Sequence, residues 1–381
     1  MKICAVICEY NPFHSGHAHQ INQIKKKFDR IICIMSGNFT QRANPAIFDK
    51  YFRARQAVLH GADMVLQLPT PYVVSSAENF AKGAINALKN FPISAISMGM
   101  ENADVDLLES IISTQLSKEY SSMLKTYLKT GISYASANVK AVCELNNNAK
   151  IEEFFCKPNN ILALEYAKAI KRYNLNWQIF PIERQNNYND ENISGSFASA
   201  TAIRKAISNG ETTKINSYVD YLDDIPYLPK LDENLFNELA LYSIKTSTID
   251  KVKHLADSHE GIENKLIKNA LVCTDLTTCE DRTKSKRYTH ARIRRIILQN
   301  LLDIKKTDII FPDELKLQLL AVSKTFSKEM KEFSHLFYTT GKDSLDEKIS
   351  PFTKIEERAE KLYSTLTHTS YNGVVKKLEK I

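Results

Sequence analysis

The stretch Glu9-Tyr10-Asn11-Pro12-Phe13-His14-Ser15-Gly16-His17-Ala18 follows a short apolar run, Ile3 to Cys8, and precedes a helix-like segment. Two histidines thus flank a glycine where a strand turns into a helix. Such a turn belongs at one edge of an α/β sheet, so this stretch decides the fold class. It also carries chemistry. A helix N-terminus presents unpaired N–H groups and a partial positive charge. Gly16 lets a phosphate approach the backbone, and His14 and His17 can donate to phosphoryl oxygens. Charge grows on those oxygens when an incoming oxygen attacks the α-phosphate of a nucleotide, so donors held there favour the transition state. Positioning then suffices, and no protein nucleophile is required. Taken alone, His14-Ser15-Gly16-His17 reads equally well as a polar turn with a satisfied histidine. A metal site that adds His19 ranks lower, because no carboxylate sits at ligand spacing.

Outward from that turn, the context favours the nucleotide. Residues 2–8, 30–36 and 63–68 read as buried strands rich in Ile, Val and Leu, and residues 93–98 and 177–182 as further strands. Helix-like segments lie over 17–28, 48–60, 76–89, 105–145 and 159–172. The alternation predicts a parallel sheet covered on both faces, with ligands beyond the carboxyl ends of its strands. Ser199-Ala200-Thr201-Ala202-Ile203-Arg204 reads as a capped helix start whose Ser199 and Thr201 hydroxyls and Arg204 guanidinium suit phosphate oxygens. A boundary falls near residues 220–232, which hold Pro226, Pro229 and several acids. Residues 1–218 are therefore expected to form the nucleotide-binding domain. Residues 219–381 are expected to be mainly helical, over 233–244, 261–271, 288–302 and 312–326.

The chain has 381 residues, 43% hydrophobic and 25% charged, with a net charge of +7, as in ordinary globular proteins. No apolar run approaches the roughly 20 residues of a membrane helix, and the first residues lack a signal-peptide pattern. The seven cysteines are scattered, with no Cys-x-x-Cys pair, which argues against a disulfide framework or zinc ribbon and for a reducing cytoplasm.

His14-Ser15-Gly16-His17 fits the H-x-G-H pattern of the nucleotidylyltransferase superfamily, and Ser199 to Arg204 resembles its I-S-S-T-x-[IL]-R segment. The longer string Glu9 to His17 resembles the bacterial tRNA(Met) cytidine acetate ligases. Further matches follow in order: Met35 to Arg42, Gly61 to Pro69, Lys157 to Leu162, Ser199 to Ala206, Gly261 to Asn264, and Lys286-Arg287-Tyr288-Thr289 with Arg292 and Ile293. They cover about the first 300 residues well and the tail weakly. The resemblance implies a Rossmann-like nucleotidylyltransferase parallel sheet with a mainly helical C-terminal region. It implies a cytoplasmic ligase that activates acetate with ATP, with Mg2+ accompanying the nucleotide, and acetylates the N4 amine of the wobble cytidine of elongator tRNA(Met).

The implied catalytic residues are His14 and His17. Those implied to hold ATP are Ile7, Cys8, Glu9, Tyr10, Asn11, Pro12, Phe13, His14, Ser15, Gly16, His17, Ala18, His19, Gln20, Gly99, Asn159 and Arg184. Asn159 is equally explained as a helix N-cap, and Arg184 as a solvated loop arginine. Gln41 and Arg42 follow a strand end and suit substrate positioning. The chain departs from the family at Met98-Gly99-Met100-Glu101, where Phe-Gly-Ser-Glu is usual, and at Tyr188-Asn189-Asp190, where Tyr-His-Asp is common.

The segment from Arg282 to Lys306 carries nine Lys and Arg against one acid, Asp303. A helix from Tyr288 would bury Ile293, Ile296, Ile297 and Leu301 and leave Lys286, Arg287, Arg294 and Arg295 for an RNA backbone. Lys50, Arg53 and Arg55 offer a second basic face, for RNA or for solvent. Two other functions remain open: a nucleotidylyltransferase of cofactor synthesis, and a non-catalytic tRNA-binding protein that keeps the nucleotide fold.

Overall fold

The computed structural model describes residues 1–184, 197–339, 350–371 and 379–381. Tyr188, Asn189 and Asp190 lie outside the described residues. Five parallel strands form the centre: β1 (Ile3–Cys8), β2 (Arg30–Ser36), β3 (Met64–Leu68), β4 (Ala95–Met100) and β5 (Gln178–Glu183). Three short strands complete the sheet, β6 (Leu317–Val322), β7 (Phe337–Tyr338) and β8 (Glu379–Lys380). The order is β5-β4-β1-β2-β3-β6-β7, with β8 also beside β6. The chain thus winds outward one way from β1 to β3 and the other way from β4 to β5. The order reverses between β1 and β4, the place where such sheets hold ligands.

Both sheet faces are covered, as the continuous apolar strands require. Ile3 and Ala5 of β1 face one core cluster, Cys4 and Val6 the other. The first cluster lies under the helices Ala77–Leu88, Pro158–Arg172 and Thr353–Leu366. The second lies under Ser15–Lys25, Lys50–Leu59 and Ala200–Ser208. Gly83 permits one close approach: a Cβ there would stand 2.3 Å from Tyr72 Cγ.

Expected and observed elements agree closely through residue 100, with one consequential shift. The first helix starts at Ser15 rather than at His17, so Ser15, Gly16 and His17 all occupy its first turn and His14 caps it. The expected helical stretch over 105–145 is three helices, Val105–Gln115, Lys118–Lys129 and Tyr134–Leu145, the second and third capped by Ser117 and Ser133. The expected helix over 312–326 is a correction: Leu317–Val322 is a strand antiparallel to β3. Every residue of that strand is buried. A run buried on both faces shows no periodicity, so helix and strand read alike.

Residues 233–302 form helices around their own cluster, which includes Leu241, Ile244, Leu266, Ile293 and Ile296. The chain then returns to the sheet as β6. The Thr353–Leu366 helix is fastened there by a buried ionic network. Lys50 Nζ meets Glu360 Oε1 at 2.5 Å, Gln67 Oε1 at 2.7 Å and Gln318 Oε1 at 3.1 Å. Burial opposes the Lys50 charge, but Glu360, Tyr51 and Glu356 outweigh it, so its pKa rises.

Candidate active site

The cleft opens where the strand order reverses. Fourteen of the residues expected there line one solvent-open space of about 1500 Å³: Ile7, Cys8, Glu9, Tyr10, Asn11, His14, His17, Gln20, Gly99, Asn159, Arg184, Ser199, Thr201 and Arg204. Gly16 and His19 line an adjoining pocket with Glu183 and Phe197. Pro12 and Phe13 are buried beneath the loop, and the Phe13 carbonyl accepts from Tyr221 Oη at 2.5 Å. Ser15 and Ala18 line neither space; the Ser15 N–H donates to the Tyr218 carbonyl at 2.8 Å.

His14 is 6% exposed and serves as the N-cap. Its Nδ1 accepts the Gly16 N–H at 3.0 Å, which places the proton of the neutral ring on Nε2. Its ring stacks on His17, centroids 3.8 Å apart. Burial lowers the His14 pKa to about 3, with Arg184 and Arg204 adding to the effect. Burial, His14 and Arg184 lower His17 likewise. His17 Nδ1 is buried and makes no hydrogen bond among the described residues. Both rings are thus neutral, directional donors. A Cβ on Gly16 would stand 2.9 Å from His14 Cε1, so any other residue displaces the ring.

Three helix N-termini converge on the cleft: that of His14, that of Pro158–Arg172 and that of Ala200–Ser208. Ser199 caps the last, accepting the Ala202 N–H at 3.0 Å. Arg204 donates to the Asn11 carbonyl at 2.6 Å and to Thr201 Oγ1 at 3.0 Å. Asn159 is not the cap of its helix. That position is Lys157, and Asn159 Nδ2 donates to Glu101 Oε1 at 2.5 Å. Gly99 lies within β4 with Arg184 across from it: an added Cβ would meet Arg184 Cγ at 3.5 Å, ordinary contact. Gln41 and Arg42 also line the cleft. The apolar wall of Phe80, Met98, Leu162 and Tyr166 was not anticipated; its residues read as core on their own elements, and no local pattern marks them as lining.

The second basic face is a correction. Lys50 and Arg53 are both 0% exposed. Arg53 donates to the carbonyls of Glu9, Ser36, Gly37 and Phe48. A guanidinium with five donors is well matched to such a cluster of strand-end carbonyls. It pins the loops after β1 and β2, and so acts on the site without facing solvent.

In the helical region, Lys286 and Arg287 are exposed. Arg294 meets the buried carboxylate Glu280 at 2.8 Å and lines a further cleft. Arg295 is a correction: it is 8% exposed and paired with Asp257, so it is not offered to RNA. The helix begins at His290, and Tyr288 is buried with its hydroxyl donating to the Glu260 carbonyl at 2.5 Å. Arg292 binds Glu260 Oε2 and the His259 carbonyl, both at 2.8 Å. Tyr288 and Arg292 of the second motif therefore clamp the turn at His259 and Glu260, just before the motif at 261–264.

This fold and this site define an α/β nucleotide-binding protein of the nucleotidylyltransferase class. The model of the HIGH Nucleotidyl Transferase family matches residues 1–377. A tRNA(Met) cytidine acetate ligase of Thermoanaerobacter pseudethanolicus is 35% identical over 97% of this chain and 95% of that protein. One of Clostridium novyi is 36% identical over 81% and 80%. TmcAL of Thermotoga maritima, solved with alpha-thio ATP, superposes with a TM-score of 0.86 at 23% identity over 99% of this chain and 97% of that one. The chain belongs to the HIGH nucleotidyl transferases and, within them, to the tRNA(Met) cytidine acetate ligase family.

Proposed function

We propose that the protein is an ATP-dependent, AMP-forming ligase of the cytoplasm that acetylates the wobble cytidine of elongator tRNA(Met) at N4. The observation that carries the reading is the meeting of His14 and His17, three helix N-termini, Arg184 and Arg204 in one cleft. In the first step an acetate oxygen attacks the α-phosphate of ATP and pyrophosphate leaves. The His14 Nε2–H and the first turn of its helix stabilise charge on the α-phosphoryl oxygens. Ser199, Thr201 and Arg204 hold the departing β and γ phosphates. In the second step the cytidine amine attacks the acetyl carbonyl and AMP leaves. Among the described residues the main cleft has a single carboxylate, Glu9, which does not make a protein-built Mg2+ site. A cation accompanying ATP would be held mainly by the phosphates. Lys286, Arg287 and Arg294 contact the tRNA backbone. The test is nucleoside analysis of elongator tRNA(Met) after incubation with ATP and labelled acetate, with labelled N4-acetylcytidine expected. A gel shift with tRNA but no acetylated nucleoside would refute the ligase and favour a non-catalytic RNA-binding protein.

A further inference from the structure

We infer that Glu9 is the group that takes the proton from the attacking N4 amine, and that the cytosine reaches it through a second cleft. This rests on the ligase reading above. The second cleft, about 1130 Å³, is lined on one side by Glu9, Asn11, Arg42 and Arg204, which also line the nucleotide cleft. Its opposite side comes from the helical region, with Phe236 and Arg294. Phe236, an aromatic side chain, and Arg294, ion-paired with Glu280 of the same lining, share this cleft with Glu9, a fitting surface for a single-stranded nucleotide.

Glu9 is placed rather than merely present. Its Oε1 accepts the Gln41 N–H at 2.6 Å, and its own carbonyl is held by Arg53. A carboxylate accepts from the exocyclic amine of cytosine, which suits both selection of the base and removal of its proton. The N4 lone pair forms a bond to the acetyl carbon while the carbonyl π pair moves to oxygen. The amine proton passes to Glu9, and collapse of the adduct breaks the carbon–oxygen bond to AMP, which leaves as the phosphate anion. Burial raises the Glu9 pKa, opposed by the Gln41 N–H, Arg53, Arg204 and Arg42. Tyr166 and Cys8 also face it, and His14 and His17 share its cleft. A raised carboxylate is the better proton acceptor near neutral pH.

The test compares the two half-reactions in Glu9→Gln and Glu9→Asp. Acetate-dependent exchange of pyrophosphate into ATP reads the first; acetyl transfer to tRNA in a single turnover reads the second. Glu9→Gln should slow transfer at least tenfold more than exchange and remove the acid limb of the pH profile for transfer. Glu9→Asp should keep that limb and regain part of the transfer rate. Equal losses in both steps would overturn the inference and mark Glu9 as a support for the nucleotide or its cation. An acid limb that persists in Glu9→Gln would overturn it as well. Wild-type protein without acetate-dependent exchange would instead refute the ligase reading itself. If Glu9→Gln does not fold, loss of the acid limb in Glu9→Asp overturns the inference.

Discussion

On the proposed reading His14 has two jobs that substitution can separate. Its Nδ1 caps the first helix by accepting the Gly16 N–H at 3.0 Å, and its Nε2–H is free to face a phosphoryl oxygen. His14→Ala removes both. An N-cap lost to alanine costs about 1 kcal/mol, and a lost oxyanion donor costs about 100- to 1000-fold in rate, roughly 2.7–4 kcal/mol. His14→Asn keeps the cap, because the Asn oxygen can accept from the same N–H, but its amide stops short of the Nε2 position. The two variants should therefore differ by about 1 kcal/mol in urea denaturation while losing exchange activity to the same degree, about 100-fold or more. Their tRNA affinity in a gel shift should match wild type. The reasoning fails if His14→Asn keeps exchange within a few-fold of wild type, since the imidazole would then be only a cap. It fails also if tRNA affinity drops in parallel with rate.

Four further outcomes are expected. The His14 pKa is depressed to about 3, whereas an unfolded histidine titrates near 6.5, so between those values only the unfolded state takes the proton. Stability should fall on acidification below about pH 6.5, by on the order of 1 kcal/mol per pH unit, and less steeply in His14→Asn; urea midpoints at pH 7.5 and 5 check this. Gly99→Ala adds a methyl only 3.5 Å from Arg184 Cγ, so folding should hold while ATP affinity, measured by calorimetry, falls about tenfold through lost room in the cleft; unchanged affinity would remove Gly99 from the site. Arg287→Glu should weaken tRNA binding and flatten its salt dependence, with stability within about 0.5 kcal/mol of wild type. Arg295→Leu should instead destabilise by about 3–5 kcal/mol, because it strands the buried carboxylate of Asp257; denaturant titration distinguishes the two.

What the sequence shows and what it hides divide along the range of the interactions. The turn from Glu9 to Ala18 is legible because strand, turn and helix are contiguous, and its cap and glycine act on neighbours within two residues. The first five strands are legible because parallel strands buried on both faces need continuous apolar runs. Lys50, Arg53 and Arg295 are not legible. Each sits on a helix that would look normal with that charge in water, and each is buried by partners remote in the chain: Glu360 for Lys50, strand-end carbonyls for Arg53, and Asp257 for Arg295. The β6 strand fails for the same reason. It becomes a strand by pairing with β3, a partner that no local window contains.

The charges of the cleft explain why its histidines are kept neutral. Among the described residues, Arg42, Arg184 and Arg204 line the space together with one carboxylate, Glu9. Those guanidiniums already match much of the charge of a triphosphate, so a further pair of imidazolium ions would bind reactant and product alike. Uniform binding of that kind does not accelerate the chemical step. On the proposed reading, neutral imidazoles would contribute instead through direction, with hydrogen bonds that strengthen as the α-phosphoryl oxygens gain charge in the transition state. On the proposed reading Arg184 and Arg204 serve twice: they would attract the phosphates, and they hold protons off His14, Arg184 acting on His17 as well. Burial alone lowers both histidines, but Arg184 is the cation that acts on each of them. Its place just past β5, opposite Gly99 of β4, therefore couples the strand-order reversal that creates the cleft to the protonation state that the chemistry needs.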